Sequence, residues 1–520
     1  MKNKRYIIAA AVFFLSFAVY LSTLSRNIFW GDSAELVTVA STLGIAHSTG
    51  YPLYTLLGKL FTFIPFGSIA FRVNLMSAFF ASLTAVLIFF ISLKLTKSRS
   101  SSFIAAVMLG FSRVFWSQSV YAEVYTLLTF FISLLILVLV KWKETKNIRY
   151  LYLLSFLFGL SLTNHMLIIL LILPFMYYIL KTDKRVLDYR LIIIMFITFL
   201  IGLSVYAYLP LRSAQNPVID WGNTEELGNF IDHVTASASR AQQRVIPFSK
   251  IIPETLNFLS LFVFQFTFVG FFIALLGMYQ FYRKERKIFI LLFGVILLNL
   301  LFKFYGYTVG DTPHYYLPSI LVFSIFIARG LLNASRILRK YISSLTKITK
   351  NIASYFVFIL FLLIPLLLVI GNFPFVDLSS FDTADRYVEY IFDEVEQDSI
   401  LITKYNEDTF PIWYHQFVEG ERTDINIVYF GTILSESKIV YLNDISGFFK
   451  EKYSTGFRAS EHVYQFLKRN MDNFTIYTTP KNPILIQYYN NISFPLKKFE
   501  EKDLESLENF SKNYKWSSEI

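Results

Sequence analysis

Residues 6–54 read YIIAAAVFFLSFAVYLSTLSRNIFWGDSAELVTVASTLGIAHSTGYPLY. The first nineteen are an unbroken apolar run, long enough to cross a bilayer as a helix and too long for the core of a secretory signal. No small-residue cleavage pattern follows, so the run is expected to be a retained anchor. The polar stretch after it carries Asp32, Glu35 and His47 within sixteen residues, then the turn Gly50-Tyr51-Pro52. Two short helices are expected there. One starts at Asp32 and stops at Gly44; the other starts at Pro52, a favoured first-turn residue, and runs to about Ile64.

Outward from this stretch the chain stays apolar. It is 55% hydrophobic and only 16% charged, with 56 Phe and 33 Tyr among 520 residues. Soluble domains carry roughly 25% charged residues. Apolar runs recur at about 72–93, 103–111, 126–140, 150–163, 166–180, 191–210, 257–281, 288–304, 317–333 and 352–370. Together with the first run these make about eleven transmembrane helices.

The net charge of +11 does not indicate a nucleic-acid partner. Six short blocks between apolar runs, from Lys2–Arg5 to Arg336–Lys350, hold 23 of the 48 Lys and Arg and only four acids. The rest of the chain has 25 basic residues against 33 acidic ones and is net negative. Basic residues segregated into alternate loops are the positive-inside pattern. The N-terminus is therefore expected inside, and the loop 25–71 and the C-terminus outside. There is no cysteine, which removes thiolate chemistry and disulfides.

Beyond Gly371 the composition becomes charged and soluble-looking. We expect two domains: a membrane domain over 1–371 with its first external loop at 25–71, and an extracytoplasmic α/β domain over 372–520. Strands at 399–405 and 425–430 with a helix at 409–418 make a β-α-β unit.

Each polar feature has a plain reading beside a chemical one. Asp-x-x-Glu at a helix start resembles a capping box. An external carboxylate beside a membrane also suits a general base. Arg72 at an interface is an ordinary snorkelling cation or a phosphate clamp. Arg113, deeper in its segment, has Glu123 as its obvious ion-pair partner. His47, His165 and His314 fall on one predicted face. Neither an HxxxH nor an HExxH spacing nor an Asp-x-Asp pair is present, so no metal is expected.

The stretch WGDSAELVTVASTLGIAHSTGYPLY resembles the first-loop signature of the protein O-mannosyltransferase-like family of GT-C glycosyltransferases, formerly a membrane family of unknown function. The family pattern is an Asp-small-Gly/Ala-Glu group, then Leu-Gly-Ile-x-His-x-x-Gly-Tyr-Pro-Leu-Tyr. This chain has Ser48-Thr49 where Pro-Pro or Ser-Pro is common. Further similarity runs through FRVNLMSAFF (71–80), WSQSVYAEVYTL (116–127), GLSLTNHMLIILLILP (159–174), NPVIDWGN (216–223) and NEDTFPIWYHQFVEGERTDINIV (406–428).

The resemblance implies a polytopic, inverting enzyme with no cofactor that moves a sugar from a polyprenyl- or dolichyl-phosphate donor. The acceptor would be an extracytoplasmic hydroxyl on a protein or glycan. It also implies Asp32 as the catalytic base with Glu35 beside it in the catalytic group, and Arg72, Arg113 and His47 at the donor phosphate. Glu123, His165, Tyr51 and Asn74 would support them. The alternatives are a transporter or lipid flippase, and a non-catalytic scaffold. A transporter would place polar residues on both sides of the midplane and tends to have repeated halves; neither is visible here.

Overall fold

In a computed structural model the described residues are 3–237, 240, 245–306, 313–345, 350–429, 470, 473–479 and 496–498. The chain divides into two compact units. One comprises Met1–Ser25, Asn74–Tyr206 and Ser237–Ser379; the other comprises Arg26–Val73, Ala207–Ala236 and Ser380–Ile520. The composition change near 371 falls inside a helix that ends at Val376. The second unit also takes in the first loop and residues 207–236, because these segments pack on one another more than on their flanking spans.

The first unit is helical. Lipid leaves no water for the backbone, so an apolar run must satisfy its amides internally. Among the described residues, eight helices are long and apolar enough to cross a membrane: Asn3–Thr23, Ile69–Thr96, Tyr125–Thr145, Tyr189–Ser213, Phe248–Lys284, Arg286–Tyr305, Pro313–Ser344 and Ile352–Val376. The other expected runs form the shorter helices Arg99–Gly110, Arg149–Leu162 and Met166–Thr182. Between Gly110 and Tyr125 the chain makes only the five-residue helix Arg113–Ser117, in the interrupted segment expected from its polar residues. The fully buried Trp116 donates its indole N–H to Thr23 at 3.0 Å and holds this break in place. Helices Arg149–Leu162 and Tyr189–Leu203 cross at Gly159 and Gly202. A Cβ on either glycine would lie 2.1 Å from a carbonyl oxygen of the other helix, the close approach that small residues permit in membranes.

The second unit begins with the two loop helices, Asp32–Thr42 and Pro52–Thr62. Its C-terminal part has strands β1 (Ile400–Thr403), β2 (Asn426–Tyr429), β3 (Ile476–Thr478) and β4 (Lys497–Lys498), ordered β2-β1-β3-β4. β1 pairs in parallel with β2, Ile400 opposite Asn426, and in parallel with β3; β4 joins β3 antiparallel. Helix Asn406–Tyr414 connects β1 to β2 as the β-α-β pattern requires, starting three residues before the expected position. It packs on helix Asp32–Thr42. Its buried Phe410 and Trp413 meet the Trp221 ring at 6.3 and 6.4 Å.

Candidate active site

Helix Asp32–Thr42 starts without a side-chain cap. Its N-cap is Gly31, at φ 62°, and the capping pair suggested by Asp-x-x-Glu does not form. The Asp32 side chain is 43% exposed beside the positive end of the helix. Glu35, one turn later, is fully buried. Its Oε1 accepts the His47 backbone N–H at 2.9 Å, and its Oε2 lies 2.5 Å from His47 Nδ1. A carboxylate can only accept, so Nδ1 carries a proton and the neutral ring presents Nε2 as an acceptor. The Tyr51 hydroxyl lies 3.2 Å from Nε2, and Asp32 Oδ2 lies 3.7 Å from it. Four sequence-chosen residues therefore meet: buried Glu35 orients His47, and His47 faces Tyr51 and the open Asp32.

The chain is bent to bring residue 47 back over residue 35. Leu43 ends the first helix in the left-handed region at φ 56°. Arg212 donates from Nε to the Leu43 carbonyl at 2.6 Å and from Nη2 to that of Thr42 at 3.2 Å, satisfying the orphan acceptors of the helix end. Ile45 and Asp220 form a parallel bridge: the Ile45 N–H donates to Ile219 at 2.8 Å, and the Trp221 N–H to Ile45 at 3.4 Å.

Behind this turn stand two residues that the sequence reading did not place in the site. His233 lies 3.1 Å by Nε2 from the Ala46 carbonyl and must donate to it. Burial holds its pKa down at about 4, the Ala46 bond opposing and the nearby His47 adding to the effect. Gly222, at φ +84°, leaves the room: a Cβ there would sit 2.6 Å from His233 Nδ1. Asp220 is also buried. Its Oδ2 accepts the Ser213 hydroxyl at 2.8 Å, and its Oδ1 has no partner among the described residues. Burial pushes its pKa up to about 6, with Ser213 pulling the other way.

Asp32, Glu35 and His47 each offer one ligand atom, all within 4.8 Å of one another, so this trio has the chemistry to take a metal ion. Both Glu35 oxygens are already engaged by His47, which would have to be given up in part.

The other expected site residues make local contacts of their own. Arg72 donates from Nε to the carbonyls of Phe66 and Gly67, at 3.2 and 3.0 Å, and from Nη1 to that of Thr62, at 2.8 Å. It closes the turn after helix Pro52–Thr62. In the first unit the Arg113 guanidinium lies over the Phe375 ring at 4.1 Å and makes no ion pair with Glu123. The Glu123 amide donates to Ser77 Oγ at 3.3 Å. Buried Asn74 donates to the Ser25 carbonyl at 3.0 Å and accepts the Ala122 N–H at 2.8 Å, pinning two loop entries. His165 caps the turn Met166–Leu171 by accepting the Leu167 N–H at 3.1 Å. Its ring and that of His314 both lie tilted beside the Tyr125 ring, with centroids at 5.3 and 4.4 Å.

Residues 32–188 match the protein O-mannosyl-transferase TMEM260 N-terminal domain, and residues 381–446 match TMEM260-associated domain 2. Over these two segments the chain is similar to the protein O-mannosyl-transferase TMEM260 family. All nine residues expected in the site lie in the first matched segment, whereas Asp220 and His233 lie outside both. Among relatives, the mouse protein O-mannosyl-transferase TMEM260 is 28% identical over 447 residues, 81% of this chain and 62% of its own length. The Dictyostelium discoideum protein of the same name is 29% identical over 251 residues, 44% of this chain and 31% of its own length. The chain thus spans less than two thirds of the curated relatives it matches. Two solved structures share the fold: ArnT from Cupriavidus metallidurans bound to undecaprenyl phosphate, with a TM-score of 0.52 and 11% identity, and the same protein in the apo state, at 0.51 and 10%. Each alignment covers 94% of this chain, with 94% and 95% of the respective ArnT chains.

Proposed function

We propose that the protein is a membrane glycosyltransferase that moves a sugar, mannose by analogy with its relatives, from a polyprenyl-phosphate donor to an extracytoplasmic hydroxyl. Protein Ser or Thr is the acceptor class. The observation that carries the reading is the pairing of an exposed carboxylate, Asp32, with a histidine locked by the buried Glu35. The relatives' names and the undecaprenyl phosphate bound to the ArnT relative support the donor and acceptor classes. The basic blocks support a site on the outer face, where a lipid-linked sugar is available and a nucleotide sugar is not.

In this reading Asp32 removes the acceptor proton as the oxygen attacks the anomeric carbon. The bond from that carbon to the phosphate oxygen breaks, and the lipid phosphate leaves with the electron pair, inverting the centre. His47 Nε2, 3.7 Å from Asp32, shares that proton's field and passes it on; Glu35 keeps the ring turned to do so. Arg72 and Arg113 are the guanidinium candidates for the phosphate. Arg72 would keep its loop bonds while Nη2 reaches out. The reaction as written needs no metal.

The test is transfer of radiolabelled sugar from polyprenyl-phosphate donors to an extracytoplasmic acceptor protein. Asp32→Asn is expected to lose about 10²- to 10⁴-fold, the usual contribution of a general base. Chelator is expected to change nothing. Equal transfer by wild type and variant removes Asp32 from the mechanism, and loss of activity on chelation moves the trio to a metal-binding role.

A further inference from the structure

Outside the site, the first unit carries an open cavity of about 1580 Å³ at the end of the bundle where basic blocks gather. Ligand pockets are usually roughly 300–1,000 Å³. Its walls are apolar, with Ile8, Phe90, Phe103, Leu137 and Phe358 among them. Its rim holds five cations, Arg5, Lys94, Lys97, Arg99 and Lys141, and one acid, Glu144. The acid is engaged by Lys94 at 2.5 Å, so the rim keeps a strong positive excess. The cations come from separate parts of the chain: Arg5 from the first helix, Lys94 and Lys97 from the end of the second span, Arg99 from the start of Arg99–Gly110, Lys141 from Tyr125–Thr145.

A topology signal requires only that basic residues stay on one side of the membrane. It does not require them to converge on a greasy cavity. An apolar trough with a cationic mouth fits one chemistry, an anionic headgroup on a long hydrocarbon tail. The positive-inside pattern puts this mouth at the cytoplasmic leaflet, whose lipids are the anionic ones. We infer that this cavity binds one anionic phospholipid of the inner leaflet, its phosphate at Lys97, Lys141, Arg5 and Arg99 and an acyl chain along Phe90, Phe103 and Phe358. A polyprenyl phosphate would share the chemistry, but the donor in the reading above is used at the opposite face. The phospholipid is therefore the occupant.

The full chain, stripped of lipid in neutral detergent, would be titrated with dioleoylphosphatidylglycerol and dioleoylphosphatidylcholine and read by native mass spectrometry. One phosphatidylglycerol is expected to bind at least tenfold tighter than phosphatidylcholine. Lys97→Gln with Lys141→Gln is expected to weaken it about thirtyfold, two interfacial charges being lost. Lys184→Gln with Arg190→Gln removes the same charge from another basic block and is expected to leave the affinity unchanged. Equal affinity for the two lipids, or equal weakening by the two double variants, overturns the site. Displacement by inorganic phosphate at the concentration of a short-chain phosphatidylglycerol makes it a free-anion site instead. Tighter binding of undecaprenyl phosphate than phosphatidylglycerol overturns the assignment to phospholipid. All these readouts are independent of sugar transfer.

Discussion

Replacing Glu35 by glutamine changes one atom in the buried clamp on His47. The amide oxygen can still accept the His47 backbone N–H, as Oε1 does at 2.9 Å. The amide nitrogen then takes the place of Oε2, 2.5 Å from Nδ1, and two donors face each other. The ring must adopt the other tautomer, with Nδ1 accepting and Nε2 carrying the proton. Nε2 then points a hydrogen at Asp32 and can no longer accept from Tyr51. A hydrogen bond to a charged group contributes about 1.5–3 kcal/mol. If that contribution belongs to the transition state, transfer slows by about 10- to 150-fold, since 1.36 kcal/mol is a factor of ten. The assay is initial-rate transfer at saturating donor, beside the ¹⁵N chemical shifts of selectively labelled histidine, which report the tautomer directly. Glu35→Gln is expected to lower kcat with KM nearly constant. A variant that flips the tautomer yet transfers within twofold of wild type would refute the role given to His47. A variant that keeps the tautomer would refute the geometry.

Asp220 and His233 predict opposed pH dependences of stability. Asp220 titrates near 6 in the fold and at 3.8 in the open chain, so its contribution falls as pH rises from about 4 to 6. His233 titrates near 4 in the fold and at 6.5 in the open chain, so its contribution falls as pH drops from 6.5 to 4. Each amounts to about 3 kcal/mol at full extent, and in the wild type the two offset. Melting of Asp220→Asn is expected to rise steeply from pH 4.5 to 6.5, and that of His233→Asn to fall over the same range; parallel slopes in both variants would be inconsistent with burial as the cause. Gly222→Ala combines a positive φ with a contact of 2.6 Å to His233 and is expected to destabilise the second unit by about 1–3 kcal/mol. His233→Ala in the same chain, which clears the contact, is expected to recover only part of that loss, because the backbone strain stays.

The membrane helices were legible because long apolar runs carry their own signal, and so was the β-α-β unit, whose elements shift by only a few residues. Asp32, Glu35, His47 and Tyr51 were legible as a group because they are close in sequence. Their roles were not. Asp-x-x-Glu has the same spacing whether it caps a helix or, as here, exposes one acid and buries the other. The difference lies in Gly31 taking the N-cap position. His233 carries no local motif, and Asp220 sits in the family-like stretch NPVIDWGN, whose similarity gave it no role. They reach the site through the Ile45–Asp220 bridge, a pairing across some 170 residues that no periodicity reveals. Arginines were the hardest to assign. Arg72 braces carbonyls and Arg212 caps helix Asp32–Thr42, and either guanidinium could equally have met a phosphate.

The site is stitched from three distant stretches: the first loop, residues 207–236 and the helix Asn406–Tyr414. During synthesis they emerge at very different times. Ala46 and its partner His233 are 187 residues apart, roughly 10–40 s at the usual pace of translation. The buttress Asn406–Tyr414 arrives more than 360 residues after Thr42, roughly another 10–30 s later. Until then helix Asp32–Thr42 lacks the packing that helix Asn406–Tyr414 gives it on that side. A nascent chain whose helices up to Val376 are already made thus still lacks one wall of this site. Of the three stretches that build the site, the buttress is the last to be made, so the surroundings of Asp32 and His47 are complete only after residues 406–414 have left the ribosome.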